Sequence, residues 1–128
     1  PYLSIGAILA VPGIVDAIRG ATARVVAVSP IVAGAAIRGP ADRLFQTLGG
    51  EASALGVARL YQERYPGLLD ALVIDTLDGG LADPVRATGL GVLVTDTVMR
   101  DHADRGRLAA TILDRWLAPD SRAALHAD

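Results

Sequence analysis

Three short runs along the chain are apolar almost without interruption: Arg24 to Ser29 (RVVAVS), Asp70 to Asp75 (DALVID) and Gly91 to Thr95 (GVLVT). A strand with one wet face alternates apolar and polar residues, whereas a parallel strand covered on both faces does not. These runs are rich in β-branched residues and predict three buried parallel strands. Between them the apolar spacing changes to three and four, the period of a helix. Ile14 to Arg19 and Asp42 to Leu48 read as helices, with Pro12 and Pro40 ahead of them where a first-turn proline belongs. Ser53 can cap a helix carrying Leu55, Ala58, Tyr61 and Tyr65 on one stripe, and Gly67 follows its end. Asp78 or Gly79 is expected to open a short helix to Ala87. The last helix is predicted from Asp104 to Leu117, with Leu108, Ile112, Leu113, Trp116 and Leu117 forming its apolar stripe. The opening stretch from Tyr2 to Gly13 reads as a buried, irregular strand-to-helix crossing whose role is packing. Ser4 and Gly6 within it are lesser candidates for ligand contact.

Strands alternating with helices predict an α/β fold, a Rossmann-like parallel sheet flanked by helices. Three strands make a thin sheet with an apolar edge to cover, since doubly wound domains usually carry five or six. The chain also begins at Pro1 rather than Met. Together these predict that residues 1–128 are the C-terminal part of a single larger Rossmann-like domain.

Composition narrows the classes. At 52% hydrophobic and 20% charged residues, disorder is excluded. Twelve basic and fourteen acidic residues give a charge of −2. Neither nucleic acid nor an anionic membrane surface is a partner for that balance. The longest weakly polar stretches, Ile5 to Val15 and Val25 to Ile37, are broken by Pro12 and Pro30 and fall short of the ~20 residues of a membrane span. With no cysteine there is no disulfide framework, thiol nucleophile or thiolate metal site, and a cytoplasmic setting is expected. All twelve basic residues are Arg. Schiff-base chemistry and a lysine-bearing phosphate loop are thereby excluded within this chain. The first 69 residues carry +2 and the remainder −4, so an anionic ligand is expected in the first half.

Ligands of open parallel sheets bind beyond the carboxyl ends of the strands. The first predicted strand ends at Ser29 and runs into Pro30 through Asp42, thirteen residues without a helical period, where such connections usually take ~2–6. Gly34 and Gly39 permit close backbone approach, alanines line the space, and Pro40 starts a helix whose amino end favours an anion. Arg38 stands just ahead of that helix. A phosphorylated or otherwise anionic guest is the natural reading. Asp75, Asp78, Asp96, Asp101 and Asp104, with His102 among them, offer the oxygen ligands a magnesium ion takes. Each lies at or near a helix start, and capping or turn roles are expected instead. Trp116, Tyr61 and Tyr65 are expected in the core.

The stretch VVAVSPIVAGAAIRGPADRLFQTLGGEASALGVARLY, followed by LLDALVIDTLD and GVLVTDTVMRD, resembles the C-terminal region of the 2-phospho-L-lactate transferase family, CofD in archaea and FbiA in actinobacteria. The resemblance runs in order from Ser4 to Leu117. It implies a transferase of coenzyme F-420 biosynthesis that passes a phospholactyl or phosphoenolpyruvyl group from a guanosine-diphosphate-activated donor to the deazaflavin Fo, releasing GMP. It further implies that Ser29, Pro30, Ile31, Val32, Gly34, Arg38 and Gly39 border the guanosine nucleotide. Magnesium is implied as cofactor, with its ligands outside this chain, and a homodimer is consistent with the family. The resemblance places no catalytic residue here, so this chain alone is expected to be inactive. Ala33 departs from a glycine usual in that loop, and Arg38 stands where Lys is common. Two other readings remain open: a nucleotide-sugar-binding regulatory protein of the gluconeogenesis-factor type, and a non-catalytic interaction module.

Overall fold

The computed structural model describes residues 4–36, 43, 46–47 and 50–117. Along the chain come α1 (Ile5–Leu9), α2 (Ile14–Gly20), β1 (Val26–Val28), β2 (Ile31–Val32), β3 (Ala35–Ala36) and α3 (Ala54–Arg64). They are followed by β4 (Ala71–Asp75), a 3-10 helix (Thr76–Leu81), α4 (Ala82–Arg86), β5 (Gly91–Thr95) and α5 (His102–Leu117). The three apolar runs form one parallel sheet in the order β1–β4–β5, with Val28 opposite Val73 and Val73 opposite Leu93. Flanked by helices, it has the Rossmann-like α/β arrangement expected from the alternation. β1 is shorter than the run that predicts it, but its ladder continues through Asp70 N–H to the Val25 carbonyl at 2.8 Å and Ser29 N–H to the Val73 carbonyl at 2.9 Å.

All five residues of β4 are buried, which explains why the sequence there does not alternate. Leu72 and Ile74 face a cluster formed with Val57, Ala58 and Tyr61 of α3 and Val85 of α4. Ala71 and Val73 face the other way, against Leu108 and Trp116 of α5. Each aliphatic side chain so buried stabilises the fold by roughly 1.5–3 kcal/mol. The core therefore lies on both faces of the central strand. It holds that strand's carboxyl end at a fixed height.

Helix α3 starts where Ser53 predicts it. Ser53 is extended, and its hydroxyl accepts the Gly56 N–H at 3.0 Å, satisfying one donor of the first turn. Gly67, with φ +72°, turns the chain after the helix. Tyr61 and Trp116 are buried and Tyr65 packs against the same cluster as Tyr61, as expected of core aromatics.

Several expectations are corrected. The stretch expected from Tyr2 to Gly13 as a buried irregular crossing is, over its described part from Ser4, exposed and partly helical: it contains α1, and Ile5, Ile8 and Val11 are 46%, 55% and 52% exposed while, of these described residues, only Leu9 is buried. A five-residue helix has one side to bury, and the others face out. Pro12 is not in the first turn of α2, because Gly13 at φ +86° takes the cap position and the helix begins at Ile14. The short helix after β4 starts earlier than Asp78, at Thr76, since Asp75 caps it by accepting the Leu77 N–H. Leu113 is off the buried stripe of α5, 52% exposed, because Leu108, Ile112 and Trp116 already cover the sheet. The helix predicted from Asp42 to Leu48 lies largely outside the described residues. No helix among the described residues is long and apolar enough to cross a membrane.

Candidate functional site

The connection after β1 has no helical period as far as Ala36, where the described part ends, and it begins with a small hairpin. β2 and β3 pair antiparallel, Ile31 with Ala36 and Val32 with Ala35, around a two-residue tip. At that tip Ala33 has φ +49° and Gly34 φ +78°. Positive φ at both central residues is what a tight hairpin matching the strand twist requires. Glycine adopts it readily; alanine in the left-handed region costs ~1–2 kcal/mol.

Two anchors fix the hairpin. Ile31 is fully buried in the cluster that holds Ala54 and Val57 of α3, and Ser29, also buried, closes a small turn through its hydroxyl with the Ile31 carbonyl at 3.0 Å and N–H at 3.2 Å. At the tip, the Ala33 N–H donates to Asp78, 3.1 Å from both carboxylate oxygens. Asp78 is itself buried, on the 3-10 helix leaving β4. Outward, Ala33, Gly34 and Ala35 are exposed, so the hairpin presents small residues and backbone to solvent. Of the residues implied for the nucleotide site, Ser29, Pro30, Ile31, Val32 and Gly34 are thus brought together in one tethered loop at the strand carboxyl ends. Arg38 and Gly39 lie outside the described residues.

An Ala33→Gly substitution relieves the left-handed strain at some entropic cost, so a net stabilisation of roughly 0.5–1 kcal/mol is expected. Urea unfolding checks it, and an unchanged or lower midpoint contradicts the strain argument.

Asp75, the last residue of β4, is 3% exposed. Its Oδ1 accepts the Leu77 N–H at 2.9 Å and the Thr76 hydroxyl at 3.3 Å; its Oδ2 accepts the Thr97 N–H at 2.9 Å and the Thr97 hydroxyl at 3.0 Å. Burial alone pushes the carboxyl up, but the bonds from Leu77, Thr97 and Thr76 outweigh it and hold it below the ordinary range. A native pKa below the unfolded one makes this contribution complete above the unfolded value, about 3.9, and lost as pH falls through the native value. Thermal melts taken from about pH 5 downward are expected to show a drop below about pH 4 that Asp75→Asn makes shallower. An equal slope in the variant contradicts the assignment.

These carboxylates do not fit a magnesium site. Asp75 has its acceptor positions filled by four donors and Asp78 turns both oxygens to Ala33. Asp96 accepts the Val98 N–H at 3.0 Å and meets Arg107 at 3.4 Å, and Asp101 accepts the Asp104 N–H at 2.9 Å. Asp104 accepts the Arg100 N–H at 2.9 Å, a bond that, with the Arg107 and Arg100 guanidiniums, lowers its pKa. Among the described residues no group of three His, Asp or Glu could hold a metal ion. The expected capping and turn roles hold for Asp75, Asp96, Asp101 and Asp104. Asp78 is different: it reaches across to the hairpin, a tether that no local pattern announces.

Gly6 lines a pocket of about 170 Å³ with Leu9, Leu60, Tyr61, Arg64 and Tyr65, and no residue of the hairpin takes part in that described lining. A larger cleft of about 590 Å³ lies at the amino ends of β1 and β4, between Arg19, Arg24, Gly67 and Asp70. The cleft thus lies at the end of the strands opposite the hairpin.

Comparison with known proteins identifies the family. Residues 1–109 match the family model described as 2-phospho-L-lactate transferase CofD. A phosphoenolpyruvate transferase of Streptomyces griseus is 42% identical over 123 residues, 96% of this chain and 37% of that protein. A 2-phospho-L-lactate transferase of Methanocaldococcus jannaschii is 36% identical over 114 residues, 89% of this chain and 34% of that protein. A phosphoenolpyruvate transferase of Nocardia farcinica is 41% identical over 97 residues, 75% and 29% respectively. The chain thus spans about a third of the length of these relatives. With a family match across most of its residues and the Rossmann-like sheet beneath them, this chain belongs to the CofD family of 2-phospho-L-lactate transferases.

Proposed function

We propose that this chain is part of a transferase of coenzyme F-420 biosynthesis and that Ser29 to Gly39 borders its guanosine nucleotide. The donor is a phospholactyl or phosphoenolpyruvyl group joined to GMP as a diphosphate, and the acceptor is the terminal hydroxyl of Fo. The hydroxyl oxygen attacks the phosphorus carrying the lactyl or enolpyruvyl group. The P–O bond to the guanylate phosphate breaks, GMP leaves with the electron pair, and the hydroxyl gives up its proton. Catalysis of this kind rests on alignment and on neutralising phosphate charge. The residues of this chain bind and orient; magnesium and the reacting groups belong to residues outside it.

The observation that carries the reading is the hairpin at the strand carboxyl ends, small-residued and tethered, in a member of this family. The test is GMP release from the guanosine-activated donor in the presence of Fo. The full-length protein is expected to release GMP and form the phosphodiester, and the 128-residue chain alone to release none. A full-length protein that leaves both donors intact contradicts the proposal.

A further inference from the structure

The geometry points to Asp78 as a positioning residue, one that sets the conformation of the nucleotide-bordering hairpin without touching the nucleotide; this rests on the reading just given. A two-residue hairpin has too few pairs to hold itself. This one also places an alanine in the left-handed region, a conformation that needs outside support. The support comes from the exit of the central strand. Within four residues, Asp75 ties down Thr97 beyond β5 and Asp78 ties down Ala33 beyond β1. Since β1 and β5 flank β4, one short segment sets both loops that leave its neighbours. Asp78 is 7% exposed and makes its bond 45 residues away in sequence, so it is a buried charge committed to a solvent-facing tip. Without it the binding-competent hairpin is one state among several. Apparent affinity falls by the fraction of molecules that still adopt it.

The experiment titrates GDP into the full-length protein by calorimetry. Asp78→Ala is expected to weaken GDP binding about tenfold or more, while Asp78→Asn, which keeps an acceptor for the Ala33 N–H, stays within about threefold. Val85→Ala removes core packing from α4 and is expected to lower the melting temperature with GDP affinity unchanged. Asp78→Ala binding as the unaltered protein does overturns the proposal and leaves the nucleotide reading standing. Affinity lost equally in Val85→Ala shows that binding merely follows stability, and also overturns it. No GDP binding by the unaltered full-length protein removes the nucleotide reading and this proposal together. If Asp78→Ala does not fold, hydrogen exchange at the Ala33 amide in the unaltered protein decides. Slow exchange is expected, and exchange at the rate of an open peptide overturns the tether.

Discussion

Replacing Gly56 with Ala is expected to destabilise the protein by about 3 kcal/mol or more, the upper range for forcing an extra methyl into a packed site. A Cβ at this position would stand 1.8 Å from the Glu51 carbonyl oxygen and 2.8 Å from its carbon, both backbone atoms. That backbone cannot retreat without loss. Glu51 O accepts the Ser53 N–H at 2.9 Å, the Glu51 carboxylate accepts the Ser53 hydroxyl at 2.8 Å, and the same hydroxyl caps Gly56. Relief therefore means giving up the cap, about 1 kcal/mol in itself, and shifting Ala54 and Val57, which pack with Ile31 of the hairpin. Intrinsic propensity argues the other way, since Ala exceeds Gly by about 1 kcal/mol inside a helix. The sign of the change thus decides between the two. Gly106→Ala in α5, where the added methyl meets nothing within 4 Å, is the control, expected to be neutral or stabilising. Thermal unfolding of both variants checks the pair. A Gly56→Ala protein as stable as the unaltered one contradicts the contact.

Arg38→Ala is expected to weaken GDP binding to the full-length protein by about 1.5–3 kcal/mol, roughly ten- to 150-fold. A guanidinium meeting a phosphate makes charge-assisted bonds, often two in parallel, and loses them entirely on truncation. Arg38→Lys keeps the charge but not the fork, so an intermediate loss is expected. Calorimetry at fixed ionic strength measures both, because added salt screens the same interaction. Equal affinities in all three proteins remove Arg38 from the phosphate.

Much of this architecture is written locally. β4 is a continuous apolar run opened by Asp70, and its absence of alternation announces the double cover that Leu72 and Val73 meet on opposite faces, whereas β1 and β5, expected to be buried on the same pattern, lie beside it with Val28 36% and Val94 37% exposed. Ser53 marks the start of α3 because capping is decided within three residues. What could not be read depends on distant partners. The exposed apolar residues of α1 show that hydrophobicity in a short segment does not fix which side is buried. The hairpin was hidden because its tip is Ala-Gly rather than the Asn-Gly or Asp-Gly that signals such a turn. Asp78 reads as a turn residue by its neighbours and becomes a tether only through Ala33, 45 positions away. The Asp75 to Thr97 bonds, 22 positions apart, are equally silent in the sequence.

The most direct measurement is amide chemical-shift mapping during a GDP titration of the full-length protein. The largest changes are predicted along Ser29 to Gly39, whose described part, Ser29 to Ala36, lies at the carboxyl ends of the strands. Changes confined to the cleft around Arg19, Arg24 and Asp70 at the opposite end of the sheet, with the hairpin amides unmoved, would contradict the account.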